Sequence, residues 1–314
     1  MSGHVTGNTG LLTRSEVWSS QLKDVLEDEL MATSYINWMT EFPDGDTFTI
    51  PSIGQASVDD YVEDEAVEYS ALDQGEFQFS ITEYLSSATY ITNKARQDGF
   101  YMDQLVAGFV PKQQRAIMER LETDIMGLSA DQTTSALNNI NGAPHRFVAS
   151  GTSEVITLAD FAKARYSLKK ANVPDQNLVA IVDPSVEYTI NTLATHLSDF
   201  SRNQKWEGVL ENGIASGMSF VANIYGFDVY VSNYLADANE TIDGVTTAAG
   251  KANMFFNASP DVLPFIGAWR QMPQVDAEYN KDFQREEYVT TARYGKALYR
   301  PENLVCVLTD TDQV

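Results

Sequence analysis

Between Lys23 and Lys94 the chain has neither lysine nor arginine, while residues 24–93 hold sixteen aspartates and glutamates. That stretch carries −16 of a total of −23, against +1 for residues 1–23 and −8 for residues 94–314. A segment with charge of one sign cannot neutralise itself. It sits in water or faces positive groups, on its own body or on another copy of the chain. Cysteine is nearly absent as well. The one thiol, Cys306, excludes an internal disulfide framework, and its setting in Leu304-Val305-Cys306-Val307-Leu308 predicts a small buried hydrophobe. No apolar run reaches the roughly 20 residues that span a bilayer. Met1 to Gly10 has neither the basic start nor the apolar core of a signal peptide, so synthesis and folding are expected in a reducing cytosol. A pI near 4.3 argues against a non-specific grip on nucleic acid, which needs clustered lysine and arginine.

The motifs of catalysis are missing too. There is no phosphate-cradling glycine loop, and in Gly213-Ile214-Ala215-Ser216-Gly217 the serine is one place off the nucleophile-elbow spacing. His4, His145 and His196 are far apart and lack metal-ligand spacing with Cys306; His145 beside Arg146 is expected at a surface turn. Asp44-Gly45-Asp46 opens like a calcium loop, but the twelfth position is Gln55 and Gly45 is misplaced. A looser cation site among Asp59, Asp60, Glu63, Asp64 and Glu65 is the lesser reading beside a solvated or partner-facing acidic surface. Carboxylate pairs are too abundant in so acidic a chain to single out a hydrolytic pair. No enzyme, cofactor or metal is expected.

What is present fits a folded chain: 314 residues, 43% hydrophobic and 11% aromatic, with fifteen Tyr and fifteen Phe. A chain this long buries roughly 75% of its unfolded surface. Thr13 and Glu16 form a capping box for a helix followed by Trp18, Leu22, Val25, Leu26 and Leu30 at helical spacing. After the turn Pro43-Asp44-Gly45-Asp46 the period changes to two. Phe48 and Ile50, and later Phe77, Phe79 and Ile81, alternate with polar neighbours as half-buried strands do. Two strands joined by a long acidic excursion make an extended hairpin that needs a surface to lie on.

Residues 91–128 read as one long helical stretch, with Ile117, Leu121, Ile125 and Leu128 on one face, Pro111 inside it and Gly127 as terminator. Asn141-Gly142-Ala143-Pro144 marks a boundary. Thr157 and Asp160 cap a helix reaching Asn172, Leu178–Val182 is a buried strand, and Asp183-Pro184 opens another helix. Residues 201–217 and 236–250 read as loops. Between them lies a hairpin, Met218–Ile224 and Phe227–Val231, turning at Tyr225-Gly226. The last third is mostly strand: Met254–Phe256, Asp276–Tyr279, Gln284–Arg293 and Leu304–Leu308.

The order of these parts resembles the major capsid proteins of tailed bacteriophages, the Hong Kong 97-type fold, over about residues 14–310. The phrase Ile224-Tyr225-Gly226-Phe227-Asp228-Val229-Tyr230-Val231-Ser232-Asn233 is similar to the axial-domain hairpin of such coats. Tyr294-Gly295-Lys296-Ala297-Leu298-Tyr299-Arg300-Pro301-Glu302 resembles the closing turn before the last strand in short-tailed podovirus coats. The resemblance implies an α+β fold with an N-terminal arm (1–41), an extended hairpin called the E-loop (42–90) and a peripheral domain (91–151) holding a spine helix at about 94–128. An axial domain (152–270) and a return to the peripheral sheet (271–314) follow. The 201–217 loop would then sit near the capsomer axis.

The implied function is assembly into hexamers and pentamers of an icosahedral head, in the virion, after synthesis in the host cytoplasm. The head encloses double-stranded DNA without sequence-specific contacts, and the implied partners are a scaffolding protein, a portal and a cement protein, with no membrane. Some of these coats join an E-loop lysine covalently to a neighbour's asparagine. Residues 42–90 contain no lysine, so the shell is expected to be free of isopeptide links. The expected inter-subunit contacts are acidic on the hairpin (Asp59, Asp60, Glu63, Asp64, Glu65 and Glu68). They are basic on the spine (Lys94, Arg96, Lys112, Arg115 and Arg120) and in the closing sheet (Arg285, Arg293 and Arg300). The rival readings are an encapsulin-like shell, or an acidic β-rich tail protein or hydrolase.

Overall fold

Two sheets carry the fold, and the last third of the chain supplies strands to both. The computed structural model describes residues 30–39, 47–53, 60, 63, 74–98, 102–133, 138–193, 220–242, 244–247 and 250–310. In order, the first elements are β1 (Ile36–Met39), β2 (Thr47–Ile53), β3 (Gln74–Ser80), β4 (Glu83–Thr92), α1 (Asn93–Asp98) and α2 (Met102–Gly127). Then come β5 (Asn139–Ile140), β6 (Ala143–Pro144), β7 (Arg146–Val148), α3 (Leu158–Lys170), β8 (Leu178–Val182) and α4 (Pro184–Leu193). The chain continues with β9 (Phe220–Ile224), β10 (Phe227–Val231), β11 (Thr241–Ile242), β12 (Val245–Thr246) and β13 (Gly250–Asn257). It closes with β14 (Phe265–Asn280), β15 (Arg285–Leu298) and β16 (Leu304–Asp310). The expected helix after Thr13, the turn at 43–46 and the loop at 201–217 lie outside the described residues.

A four-stranded sheet runs β1-β14-β15-β4, and a six-stranded one β7-β16-β13-β8-β10-β9. Val179 and Ile181 of β8, Phe256 of β13 and Cys306 of β16 meet Leu121 and Ile125 of α2 and Phe265 and Tyr294 of the smaller sheet in one buried cluster. The spine helix therefore packs between the sheets, along the apolar face that its sequence spacing marks. On the other face of the larger sheet, Phe161 and Leu168 of α3 and Val186 of α4 pack on Phe227, Phe255 and Val305. Both helices start where local chemistry requires. The Asp160 carboxylate accepts the Thr157 N–H at 2.8 Å, and the Asp183 carboxylate accepts the Ser185 N–H at 3.0 Å, just behind Pro184.

Several expectations need correcting. The stretch 91–128 is not one helix: Ile91 and Thr92 end β4, and α1 and α2 are separate segments. Residues 236–250 hold a small ribbon, β11–β12, and not only loop. The strands read at Asp276–Tyr279 and Gln284–Arg293 are the distal parts of two far longer ones, β14 and β15, paired from Phe265↔Leu298 to Asn280↔Arg285. Tyr294 to Leu298 is therefore strand, and the turn before β16 is confined to Tyr299–Asn303. Asn141-Gly142 is a hairpin turn between β5 and β6, with φ of 51° and 76°, as two-residue turns that match strand twist require. His145 and Arg146 are buried, not at a surface turn. The His145 N–H donates to the Asn138 carbonyl and its carbonyl accepts the Cys306 N–H, which locks it beside the β7–β16 parallel edge.

Candidate assembly surfaces

The hairpin β2–β3 pairs from Thr47↔Ser80 to Ile53↔Gln74 and joins neither large sheet. Its period-two pattern puts Phe48, Ile50, Phe77 and Phe79 on one side, where they pack on Ile266, Ala268 and Tyr299. The Phe77 and Tyr299 rings meet edge-on at 5.1 Å. Gly295 allows this docking: a Cβ there would lie 2.8 Å from the Ser80 carbonyl and 3.0 Å from the Ile81 Cα. The opposite side is polar, with Glu76 exposed, and beyond the paired part Asp60 and Glu63 are exposed as well. Asp59, Asp64, Glu65 and Glu68 lie outside the described residues.

The spine helix is tied to both neighbours of the hairpin by two carboxylates. Glu122, fully buried, accepts the Met31 N–H at 3.0 Å and the Ala32 N–H at 2.9 and 2.8 Å, fixing the chain just before β1. Asp124 accepts the Tyr294 hydroxyl at 2.7 Å and faces Lys296 Nζ at 2.8 Å and Arg120 Nε at 3.2 Å. Lys296 also lies 3.5 Å from Glu83, at the start of β4. Burial, then the hydrogen bond to Asp124 and its charge, holds the Tyr294 phenol well above the usual tyrosine range. Charge-assisted bonds of this kind contribute about 1.5–3 kcal/mol each. Neither carboxylate was foreseen as buried, although both border the apolar stripe of Leu121 and Ile125.

A second buried anchor joins the larger sheet to the spine's end. Arg146 donates from Nε to Glu240 at 2.8 Å and from Nη1 to the Ser129 carbonyl at 2.8 Å. Burial opposes its charge, and Glu240 more than offsets that. Cys306 lies in the same pocket; burial pushes its thiol up to about 11, which makes it an inert core residue, as its sequence setting predicts.

Four of the predicted basic contacts pair with carboxylates of their own subunit. Arg96 pairs with Glu286, Arg115 with Glu119 at 3.0 Å and Arg120 with Asp124. Arg285 pairs with Glu287 at 2.6 Å and sits between the Tyr90 and Phe283 rings, 4.4 and 4.7 Å from their centres. Its hydrogen bond holds the Glu287 carboxyl below the usual range. Lys94 and Lys112 are exposed, Arg293 is half-buried, and Arg300 lies over its neighbour Tyr299. The structure therefore places Arg285 and Arg293 on β15, with Arg96 of α1 paired to Glu286 of that strand, and Lys112, Arg115 and Arg120 on one helix, α2. Among the described residues no group of three or more His, Cys, Asp or Glu could hold a metal ion, and no helix is long and apolar enough to cross a membrane.

No curated protein matches the sequence. The fold is shared with solved structures at low identity. One is from Mycobacterium phage Che8, with TM-score 0.69, 17% identity, 95% of this chain and 97% of that one covered. Another is the capsid structure of the cyanophage P-SCSP1u, with TM-score 0.69, 15% identity, 97% and 94% covered. A third is the capsid of Ralstonia phage GP4, with TM-score 0.65, 11% identity, 98% of each covered. The sequence model described as "Phage capsid protein" matches residues 76–307, which run from β3 to β16. On that match and this architecture, the chain belongs to the phage capsid protein family, as a structural major capsid protein of the Hong Kong 97-type fold.

Proposed function

We propose that the chain assembles into hexamers and pentamers that close an icosahedral head around double-stranded DNA, held by non-covalent contacts without isopeptide links. In this reading residues 1–41 are the arm and 42–90 the E-loop. The peripheral domain is 91–151 with 271–314, and the axial domain is 152–270. A scaffolding protein, a portal and a cement protein are its partners in the host cytoplasm. The observation that carries the reading is the β2–β3 hairpin, which pairs with no other strand among the described residues and rests on the smaller sheet through Phe48, Ile50, Phe77 and Phe79 near its base. A two-stranded ribbon is marginal alone in water, so its free length calls for a surface on another copy. The intramolecular pairing of Arg96, Arg115, Arg120 and Arg285 makes any electrostatic latch one of shared, partly satisfied cations. Exposed pairs of that kind contribute about 0–1 kcal/mol each, and only repetition over a shell makes them matter.

Electron microscopy of the expressed chain, alone and with its scaffold, tests the reading. Closed shells that pellet as large particles support it; a small soluble oligomer under both conditions rejects it. Neutralising Asp59, Asp60, Glu63, Asp64 and Glu65 together tests the latch, which fails if assembly and its salt dependence stay unchanged.

A further inference from the structure

Among the described residues the outer side of β4 has no strand beside it. Folded proteins blunt such edges with lysine, proline, bulges or very short strands. Among the described residues the other outer strands of the two large sheets are short: β1 has four residues, β7 three and β9 five. The part of β14 beyond β1 carries Pro273, with register shifts around it. β4 has none of these devices. It pairs with β15 in unbroken register from Glu83↔Tyr294 to Thr92↔Arg285, and after Glu83 it holds no charged residue and no proline.

Its side chains also form a self-complementary pattern. Leu85 packs on the spine cluster, while Tyr84, Ser86, Ala88 and Tyr90 are exposed on the other face, the tyrosines at 64% and 58%. Tyr84 and Tyr90 lie three residues to either side of Ser87. Two copies laid antiparallel about an axis at Ser87 would set Tyr84 of each against Tyr90 of the other, an aromatic pair of the kind that favours strand pairing. Ser86 would oppose Ala88, and Glu83 would oppose Ile91 and not its own copy, so no like charges meet.

We propose that the open edge of β4 pairs antiparallel with the same edge of a second copy, about a twofold axis at Ser87. This rests on the reading of the chain as a subunit of a closed shell, since icosahedral symmetry contains twofold contacts and a twofold contact needs one patch that fits itself. The four-stranded sheet then continues into that of the second copy, giving partners to the outward N–H and C=O groups of β4, which no strand among the described residues pairs.

The test is disulfide trapping in particles of the full chain. Directly opposed strand residues have Cα atoms about 4.5–5.5 Å apart, inside the range a disulfide spans, and diagonal ones do not. Cys306 is fully buried and does not compete. Under oxidation, particles of the double variant S86C/A88C should yield mostly two-chain species on a non-reducing denaturing gel. S86C and A88C alone should yield roughly tenfold less. Ala88→Lys places two charges across the seam and should lower particle yield roughly tenfold without changing the melting temperature of the unassembled subunit. Double-variant particles that stay single-chain overturn the pairing, as does equal linking by the single variants, which would mean another strand or register at the edge. A wild-type chain that forms no shells removes the shell reading and this pairing together. Shells without the cross-link remove the pairing alone.

Discussion

The Tyr294 hydroxyl donates to the Asp124 carboxylate at 2.7 Å, across 170 positions of sequence. It locks the spine helix to the strand that passes the hairpin base. Lys296 reaches the same oxygen at 2.8 Å, so the carboxylate holds two residues that flank Gly295. Removing Asp124 leaves a fully buried phenol without its acceptor and the Lys296 ammonium with only the more distant Glu83. Asp124→Ala should cost about 3 kcal/mol and Tyr294→Phe about 1–2 kcal/mol, read by denaturant unfolding of the unassembled subunit.

Glu122 satisfies the N–H groups of Met31 and Ala32, and so ties the approach to β1 to the spine helix. Glu122→Ala should therefore expose the entrance of the arm, with exchange at these two amides quickening by about tenfold or more while core amides of β8 stay protected. Unchanged exchange would mean that β1 pairing alone retains the arm.

Gly295 sits against the Ser80 carbonyl and the Ile81 backbone, neither of which can swing aside. Gly295→Ala should displace the hairpin base and cost about 1–3 kcal/mol, visible as a lower melting temperature. An unchanged one would show that the base is free to shift.

His145 is fully buried, with Nδ1 on the Ala143 carbonyl at 3.0 Å and Nε2 without a close hydrogen-bond partner among the described residues, near the Glu302 main chain. Burial lowers its pKa below the ordinary 6.5. The neutral ring is favoured by folding, so its contribution is complete above pH 6.5 and is lost as pH falls through the lowered folded value. His145→Gln should flatten the fall of melting temperature below that pH. A variant with the same acid slope as wild type would contradict this.

Much of this was legible in the sequence where local chemistry decides. The strand Leu178–Val182, the cap at Asp183, the turn at Tyr225-Gly226 and the apolar face of the spine all follow from short-range pattern. The long strands did not. Phe265 to Ala268 is buried on both faces, and Pro273 and two register shifts then interrupt the pairing of β14. The segment Tyr84–Thr92, with Ser86, Ser87 and Ala88 at its centre, takes its strand form from pairing with β15, about two hundred positions away. Glu122 and Asp124 look like ordinary helix charges until the sheet and the arm are placed over them.

The most direct test of the central claim, a phage shell held by non-covalent contacts, is a reducing denaturing gel of DNA-filled particles. The absence of lysine from residues 42–90 predicts a single band at the mass of one chain. A ladder of multiples surviving heat and reductant would contradict it.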